Sequence, residues 1–237
     1  MPLEVGAQIA LPDSTAHHVF VLRLAAGDSV ELFNGKGGAF IATLTDISKK
    51  QVNAEVKVFL PREAELPFSL TLAQGLPEGS KMDWIIEKAV ELGVNTIQAL
   101  SAQRSVVKLS GERAEKKYAH WHGIIEAAAA QCGRNRLSHL NPINDVTRWL
   151  AQQDMHKRIL LSPRADQSLA QWAQHHPAQA VTLMIGPEGG FSDNEEALAV
   201  ERGCLMLGMG PRVLRTETAG IAATSILSAI WGGFHNS

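Results

Sequence analysis

What is scarce in this chain of 237 residues already narrows it. Two cysteines, Cys132 and Cys204, stand far apart and in no CxxC spacing. Neither a disulfide framework nor a cysteine-rich zinc site is supported, and the usage fits a reducing cytoplasm. Neither sign of charge is in excess: 22 Lys and Arg face 24 Asp and Glu, a formal net charge of -2. That excludes a globally basic nucleic-acid binder but not a local basic patch. The opening Met1-Pro2-Leu3-Glu4 has no basic segment leading into an apolar one, so no signal peptide is expected. From Thr218 onward no residue carries a formal charge, but the stretch is broken by Gly220, Thr224, Ser225, Ser228, Gly232 and Gly233; a buried helix is expected there rather than a membrane span. His17-His18 and His175-His176 are adjacent pairs, and His120 and His122 lie two apart on an expected helix. Such spacings do not let a pair converge on one ion, so no metal is expected. The five tryptophans are scattered, which suits core or interface better than a base-stacking platform. There is no internal repeat and no low-complexity tract.

What is present is enough to fold: 45% hydrophobic against 19% charged residues permits a real core. The first part reads as all-β. Val30 and Leu32 alternate within 28–33, Asn34-Gly35-Lys36-Gly37-Gly38 signals a turn, and Val52, Ala54, Val56 and Val58 alternate again after Ser48-Lys49-Lys50. Several short strands in so little chain suggest a small barrel. Pro61 and Pro67 bracket a polar linker, which sets expected domains of 1–66 and 67–237. Beyond it the period changes. A strand at 68–73 leads to a helix with Ser80 as cap, Met82, Ile85, Ile86, Ala89 and Val90 as its apolar face, and Gly93 as its stop. A strand at 94–100, a helix at 112–131, short apolar strands at 158–162 and 180–185, a helix opened by the capping box Ser192-Asp193-Asn194-Glu195, a strand at 204–207 and a last helix at 218–231 complete an α/β domain with a parallel sheet.

Two glycine-rich turns follow two of these strands. Ile185-Gly186-Pro187-Glu188-Gly189-Gly190-Phe191-Ser192 runs from a strand into a capped helix. It matches neither a dinucleotide fingerprint nor a P-loop, Pro187 removes one N–H, and Glu188 adds negative charge. A ligand bearing positive charge, or one read through adenine and ribose contacts, suits it better than phosphate. The second turn, Leu207 to Ala219, crowds Arg212, Arg215, Thr216, Glu217 and Thr218 ahead of a helix. Thr216 as cap and Glu217 at the dipole would be ordinary. Two arginines before a helix N-terminus are not, unless an Arg215–Glu217 ion pair accounts for one of them.

These segments, Gly186-Pro187-Glu188-Gly189-Gly190-Phe191-Ser192, Leu207-Gly208 and Arg212-Val213-Leu214-Arg215-Thr216-Glu217-Thr218-Ala219, closely resemble the RsmE-type 16S rRNA (uracil-N3) methyltransferases of the SPOUT superfamily. His17-His18, Val21-Leu22-Arg23, Gly27-Asp28 and Phe33-Asn34-Gly35 are similar to that family's PUA-like barrel. Lys81-Met82-Asp83 with Lys88 and Glu91-Leu92-Gly93, Arg104-Ser105 and Gln131-Cys132-Gly133-Arg134 fit its catalytic domain, with Cys132 where Ser is common. The family's usual opening strand, with an aromatic and an arginine, has no counterpart in Met1-Pro2-Leu3-Glu4. The resemblance implies a trefoil-knot α/β domain behind the barrel, S-adenosylmethionine as cofactor, a cytoplasmic homodimer joined through the last helix, and uridine 1498 of 16S rRNA in the small ribosomal subunit as target. By position, the cofactor would meet Leu161, Ser162, Ile185, Gly186, Pro187, Glu188, Gly189, Leu207, Gly208, Val213, Leu214, Arg215, Thr216 and Ala219.

Methylating uracil N3 requires removing its proton and stabilising charge on the pyrimidine oxygens. Arg215 is the candidate for the charge and Glu217 for the base, with Glu188 as substitute and the Thr216 and Thr218 hydroxyls as orienting groups. For RNA, the window 101–140 holds seven cations against three anions; Arg104, Arg134 and Arg136 in it, with Arg23, are the expected contacts, while Arg113, Lys116 and Lys117 read as a solvated helix face. Two rivals stay open: a cofactor-holding RNA-binding module without catalysis, and the same chemistry on another RNA or base position. A Rossmann-type dehydrogenase is disfavoured because the glycine turns come late in the chain.

Overall fold

Hydrophobic alternation in the first sixty residues builds an antiparallel sheet. The computed structural model describes residues 3–48 and 51–235; Met1-Pro2 of the opening and Lys49-Lys50 of the second turn signal lie outside them. The elements are β1 (Gln8–Ala10), α1 (Asp13–Val21), β2 (Ser29–Leu32), β3 (Ala39–Ile47) and β4 (Val52–Leu60), with strand order β1-β4-β3-β2. Val52, Ala54 and Val56 point inward and join Ile9, Leu11, Phe40 and Leu44 in one core. Val58 does not: it is half exposed, because the register steps from Val58 opposite Ile41 to Val56 opposite Ala42. A bulge of this kind turns the following side chain to the other face.

The first part is not all-β. Helix α1 escapes the periodicity argument because it buries only Ala16 and Val19 and has no side-chain cap. Its end is well defined. Leu24 N–H donates to Val19 C=O and Arg23 N–H to Phe20 C=O, both at 3.1 Å, with Arg23 at φ 55°. This is the Schellman arrangement, with arginine in the left-handed position where glycine is usual. Contacts divide the chain into two units. The first runs up to Ala64 and takes in Gly133–Leu137, and the second holds the remainder. Within the first unit Gly37 N–H donates to Asn135 C=O and Leu137 N–H to Gly35 C=O.

The second unit is α/β. Its elements are β5 (Leu70–Gly75), α2 (Lys81–Glu91), β6 (Thr96–Ser101), α3 (Gly111–Cys132), β7 (His139–Asp145), α4 (Val146–Leu150), β8 (Lys157–Leu161), α5 (Leu169–Gln174), β9 (Val181–Ile185), α6 (Asp193–Glu201), β10 (Leu205–Leu207) and α7 (Thr216–Ile230). Six parallel strands stand in the order β10-β8-β9-β5-β6-β7. The expected apolar face of α2, from Met82 to Val90, is buried as a whole, and β9 is buried at every position. Strand β7 gave no apolar run because it is an edge strand carrying Asn141, Pro142 and Asn144, where proline is tolerated. Among the described residues no helix is long and apolar enough to cross a membrane.

Candidate active site

Strands β8, β9 and β10 are neighbours, so the turns that leave their carboxyl ends meet. Such ends, where the strand order reverses, are where open parallel sheets place ligands. The turn after β9 closes on itself: a Cβ on Gly186 would lie 2.9 Å from Gly190 Cα and 3.0 Å from Phe191 N, so only glycine fits. The turn ends in the expected capping box, in which Ser192 Oγ accepts from Glu195 N–H and the Glu195 carboxylate accepts from Ser192 N–H. Glu195 also accepts from Gln103 N–H at 2.8 Å.

The turn after β10 enters α7 one residue earlier than a Thr216 cap would require. Arg215 is the N-cap, without a side-chain cap bond, and Thr216 is the first helical residue. Thr216 is buried and its hydroxyl donates to Gly186 C=O at 2.5 Å. One hydroxyl therefore ties the second turn to the first.

Between the turns lies a cleft of about 600 Å³, within the range of small-molecule sites. Leu161 and Ser162 line it from the end of β8. Ile185, Gly186, Pro187, Glu188 and Gly189 line it from the first turn, and Val213, Leu214, Arg215, Thr216, Glu217 and Ala219 from the second. Three expected residues are not brought there. Leu207 is fully buried in β10, with its carbonyl accepting from Ser162 N–H. Gly208 spends its N–H on Gln167 C=O and its C=O on Leu169 N–H. Thr218 is exposed, because it follows the inward-facing Thr216 and Glu217 by less than a helical turn.

The cleft also holds residues that the motif reading missed. Lys81 Nζ sits 2.5 Å from Glu188 Oε1, which also accepts from Glu78 N–H at 3.0 Å. Burial pushes the Glu188 carboxyl upward, but the Lys81 hydrogen bond, the N–H groups of Glu188 and Glu78 and the Lys81 charge outweigh it and hold the group below the ordinary carboxylate range. A carboxylate so stabilised is a poorer proton acceptor than an unpaired one. Arg164 is shared by Asp193 and Glu196 across the cleft rim. It follows Ser162-Pro163 directly after a strand, the one signal that placed it there. Arg212 also lines the cleft.

Glu217 is different. Its Oε2 is buried and has no hydrogen-bond partner among the described residues. Its Oε1 lies 4.0 Å from Arg215 Nη1, whose side chain is 83% exposed. The ion pair that would explain Arg215 structurally is therefore loose, and the guanidinium is free to turn toward a ligand.

The expected basic patch is largely spent inside the protein. Arg104 lines the cleft and donates to Gly189 C=O at 3.3 Å and Phe191 C=O at 3.0 Å, bracing the first turn. Arg134 is 2% exposed and engaged within the protein, out of reach of a phosphate. Arg136 pairs with Glu63 and Lys116 with Glu112. Arg23 is exposed behind α1. His120 bonds Asp83 and His176 stacks on Trp172. Among the described residues no three metal-ligating side chains gather.

Comparison with known proteins agrees with this anatomy. The RNA methyltransferase domain family matches residues 64–228 and the RNA methyltransferase PUA domain family residues 11–57. A methyltransferase of Legionella pneumophila, solved with S-adenosylmethionine bound, is 36% identical with a TM-score of 0.91, over 97% of this chain and 94% of that one. Ribosomal RNA small subunit methyltransferase E of Neisseria gonorrhoeae, also solved with S-adenosylmethionine, is 35% identical with a TM-score of 0.90, over 98% and 95%. The protein of that name in Bacillus subtilis is 30% identical over 234 residues, 95% of this chain and 91% of its own.

Proposed function

The chain belongs to the ribosomal RNA small subunit methyltransferase E family of RNA methyltransferases, and from that premise we propose that it moves a methyl group from S-adenosylmethionine to N3 of a single uridine, position 1498, in 16S rRNA. The observation that carries the reading is the buried, unpartnered carboxylate oxygen of Glu217 on a cleft closed by two glycine-bearing turns. The residues fit such a donor. Gly186 and Gly189 line the cleft without side chains that would fill it, Glu188 is already neutralised by Lys81, and Glu217 retains charge to offer.

The donor, when bound, supplies an electrophilic methyl on a sulfonium. Everything else falls to the chain. Leu161, Ser162, the 185–189 segment and Val213–Thr216 hold and orient. Glu217 accepts the N3 proton through its unpartnered oxygen, and Arg215, loosely paired and exposed, faces the pyrimidine oxygens as charge develops. Arg104 acts as a brace of the first turn, while Arg23 and the cleft-lining Arg212 are exposed cations that can meet RNA phosphate, with Arg136 doing so only by giving up Glu63. A second copy of the chain covers the uncharged outer face of α7, where Ile221, Ala222 and Ile226 are only half buried. The small ribosomal subunit places the reaction in the cytoplasm.

The test is mass spectrometry of 16S rRNA from a strain lacking this gene. One N3-methyluridine should vanish and return with the intact chain, but not with Glu217→Gln. An unchanged modification pattern would overturn the reading.

A further inference from the structure

We propose that Gln74, which lies outside the cleft lining, is a positioning residue that locks the two glycine-bearing turns together through the Thr216 hydroxyl. The inference deepens the reading of the cleft as a methyl-donor site and rests on it for its functional consequence. Gln74 stands near the carboxyl end of β5, in the middle of the sheet and fully buried. Its strand neighbours Leu70, Leu72 and Ala73 are apolar and buried, which is what a central parallel strand requires. An amide is the misfit. Gln74 Nε2 donates to Gly75 C=O at 2.9 Å and to Thr216 Oγ1 at 2.8 Å, while Gln74 Oε1 is buried without a hydrogen-bond partner among the described residues.

The bonds have a fixed direction. A threonine hydroxyl has one proton. Thr216 gives it to Gly186 C=O, so toward Gln74 it can only accept. Turning the amide over would set oxygen against Gly75 C=O and leave Thr216 without its donor. The relay Gln74 to Thr216 to Gly186 thus has a single working arrangement, and it spans the end of β5, the start of α7 and the first turn. The next residue reinforces the contact from the backbone side: a Cβ on Gly75 would lie 2.6 Å from Pro187 Cδ and 2.7 Å from Pro187 N. An unpartnered buried oxygen is destabilising. Its retention at a site where an apolar residue would fit is accounted for by what the amide nitrogen holds. Thr216 also precedes Glu217, so fixing the first residue of α7 fixes the direction in which the Glu217 carboxylate leaves the helix.

The experiment compares the full chain with Gln74→Met, Thr216→Val, the double variant and Thr216→Ser. Three quantities are measured: amide hydrogen exchange without ligand, calorimetric Kd for S-adenosylmethionine, and Tm. Each of the first two variants should speed exchange in both turns, 186–191 and 212–218, and weaken the donor by about tenfold, with Tm close to the parent's. The double variant should be no weaker than the worse single one, as one relay demands. Thr216→Ser, which keeps the hydroxyl, should restore both. Parent-like exchange and affinity in Gln74→Met, losses that add, or failure of serine to restore would each overturn the lock. Should Gln74→Met not fold, Gln74→Leu, which also lacks the amide donor and stays outside the cleft lining, carries the same decision. If both turns loosen as expected while the parent binds no S-adenosylmethionine, the donor-site reading fails and the lock stands.

Discussion

Single residues in this protein separate into those whose chemistry is used up and those whose chemistry is left over. Arg104 and Arg134 belong to the first group. Glu217 and Arg215 belong to the second, one with a buried oxygen unsatisfied among the described residues and the other with a guanidinium 4.0 Å from Glu217. Replacing Arg215 with alanine should lower kcat for 16S rRNA methylation by about 10²–10³, the effect of losing one donor aimed at developing charge, while S-adenosylmethionine binding persists; equal turnover at saturating RNA would remove Arg215 from the mechanism. A second prediction concerns stability. Arg158 is 8% exposed, lies over the Trp149 ring and bonds Asp154. Partial burial pushes the Asp154 carboxyl up, but the His156 N–H, the Thr182 hydroxyl and Arg158 outweigh this and hold it below its ordinary range. A carboxylate with a depressed folded value stabilises above its unfolded value and loses that contribution as pH falls through the folded one. Asp154→Asn should therefore cost about 2 kcal/mol at neutral pH, the worth of a hydrogen bond to a charged group, because Arg158 keeps the Leu150 and Gln152 carbonyls as acceptors. Urea unfolding should show parent and variant converging in acid. The motif spacing made the Arg215–Ala219 segment conspicuous, but burial, which no spacing reveals, removed Arg134 from the surface, and helical phase turned Thr218 outward, away from the cleft.

Elements were legible where local chemistry was strong. The 3.6-residue spacing of α2, the capping box of α6 and the alternation of Val52, Ala54 and Val56 each carry their own signal. Helix α5 carried one too, the Ser168–Gln171 capping box, hidden in a polar stretch. Helix α1 had none, since two buried residues do not make a period. The cap of α6 gives a third prediction. Ser192→Ala should cost about 1 kcal/mol, the usual worth of such a cap, and should also release Glu195, which restrains Gln103 N–H. Chemical denaturation measures the cost, and an unchanged midpoint would show the box to be dispensable. The start of α7 shows the limit of local reading. Thr216 is a good cap by residue type, yet it lies inside the helix, because Gln74, distant in sequence, supplies the donor that draws its hydroxyl toward Gly186.

At the scale of the whole molecule, a chain of net charge -2 must bind RNA through few and local cations. Light scattering should return twice the chain mass, and Ile226→Asp on the outer face of α7 should shift it toward the monomer; a monomeric parent would refute the homodimer. The class of the second unit, the two turns and the family could be read from residue order alone, because each rests on glycine, proline and capping residues acting within a few positions of themselves. Which residues share the cleft was settled by packing in three dimensions. Strand order sets β8 between β9 and β10, and with it Lys81 against Glu188 and Thr216 against Gly186. Those pairs are separated by thirty or more residues along the chain, where short-range pattern carries no information and packing alone selects the partner.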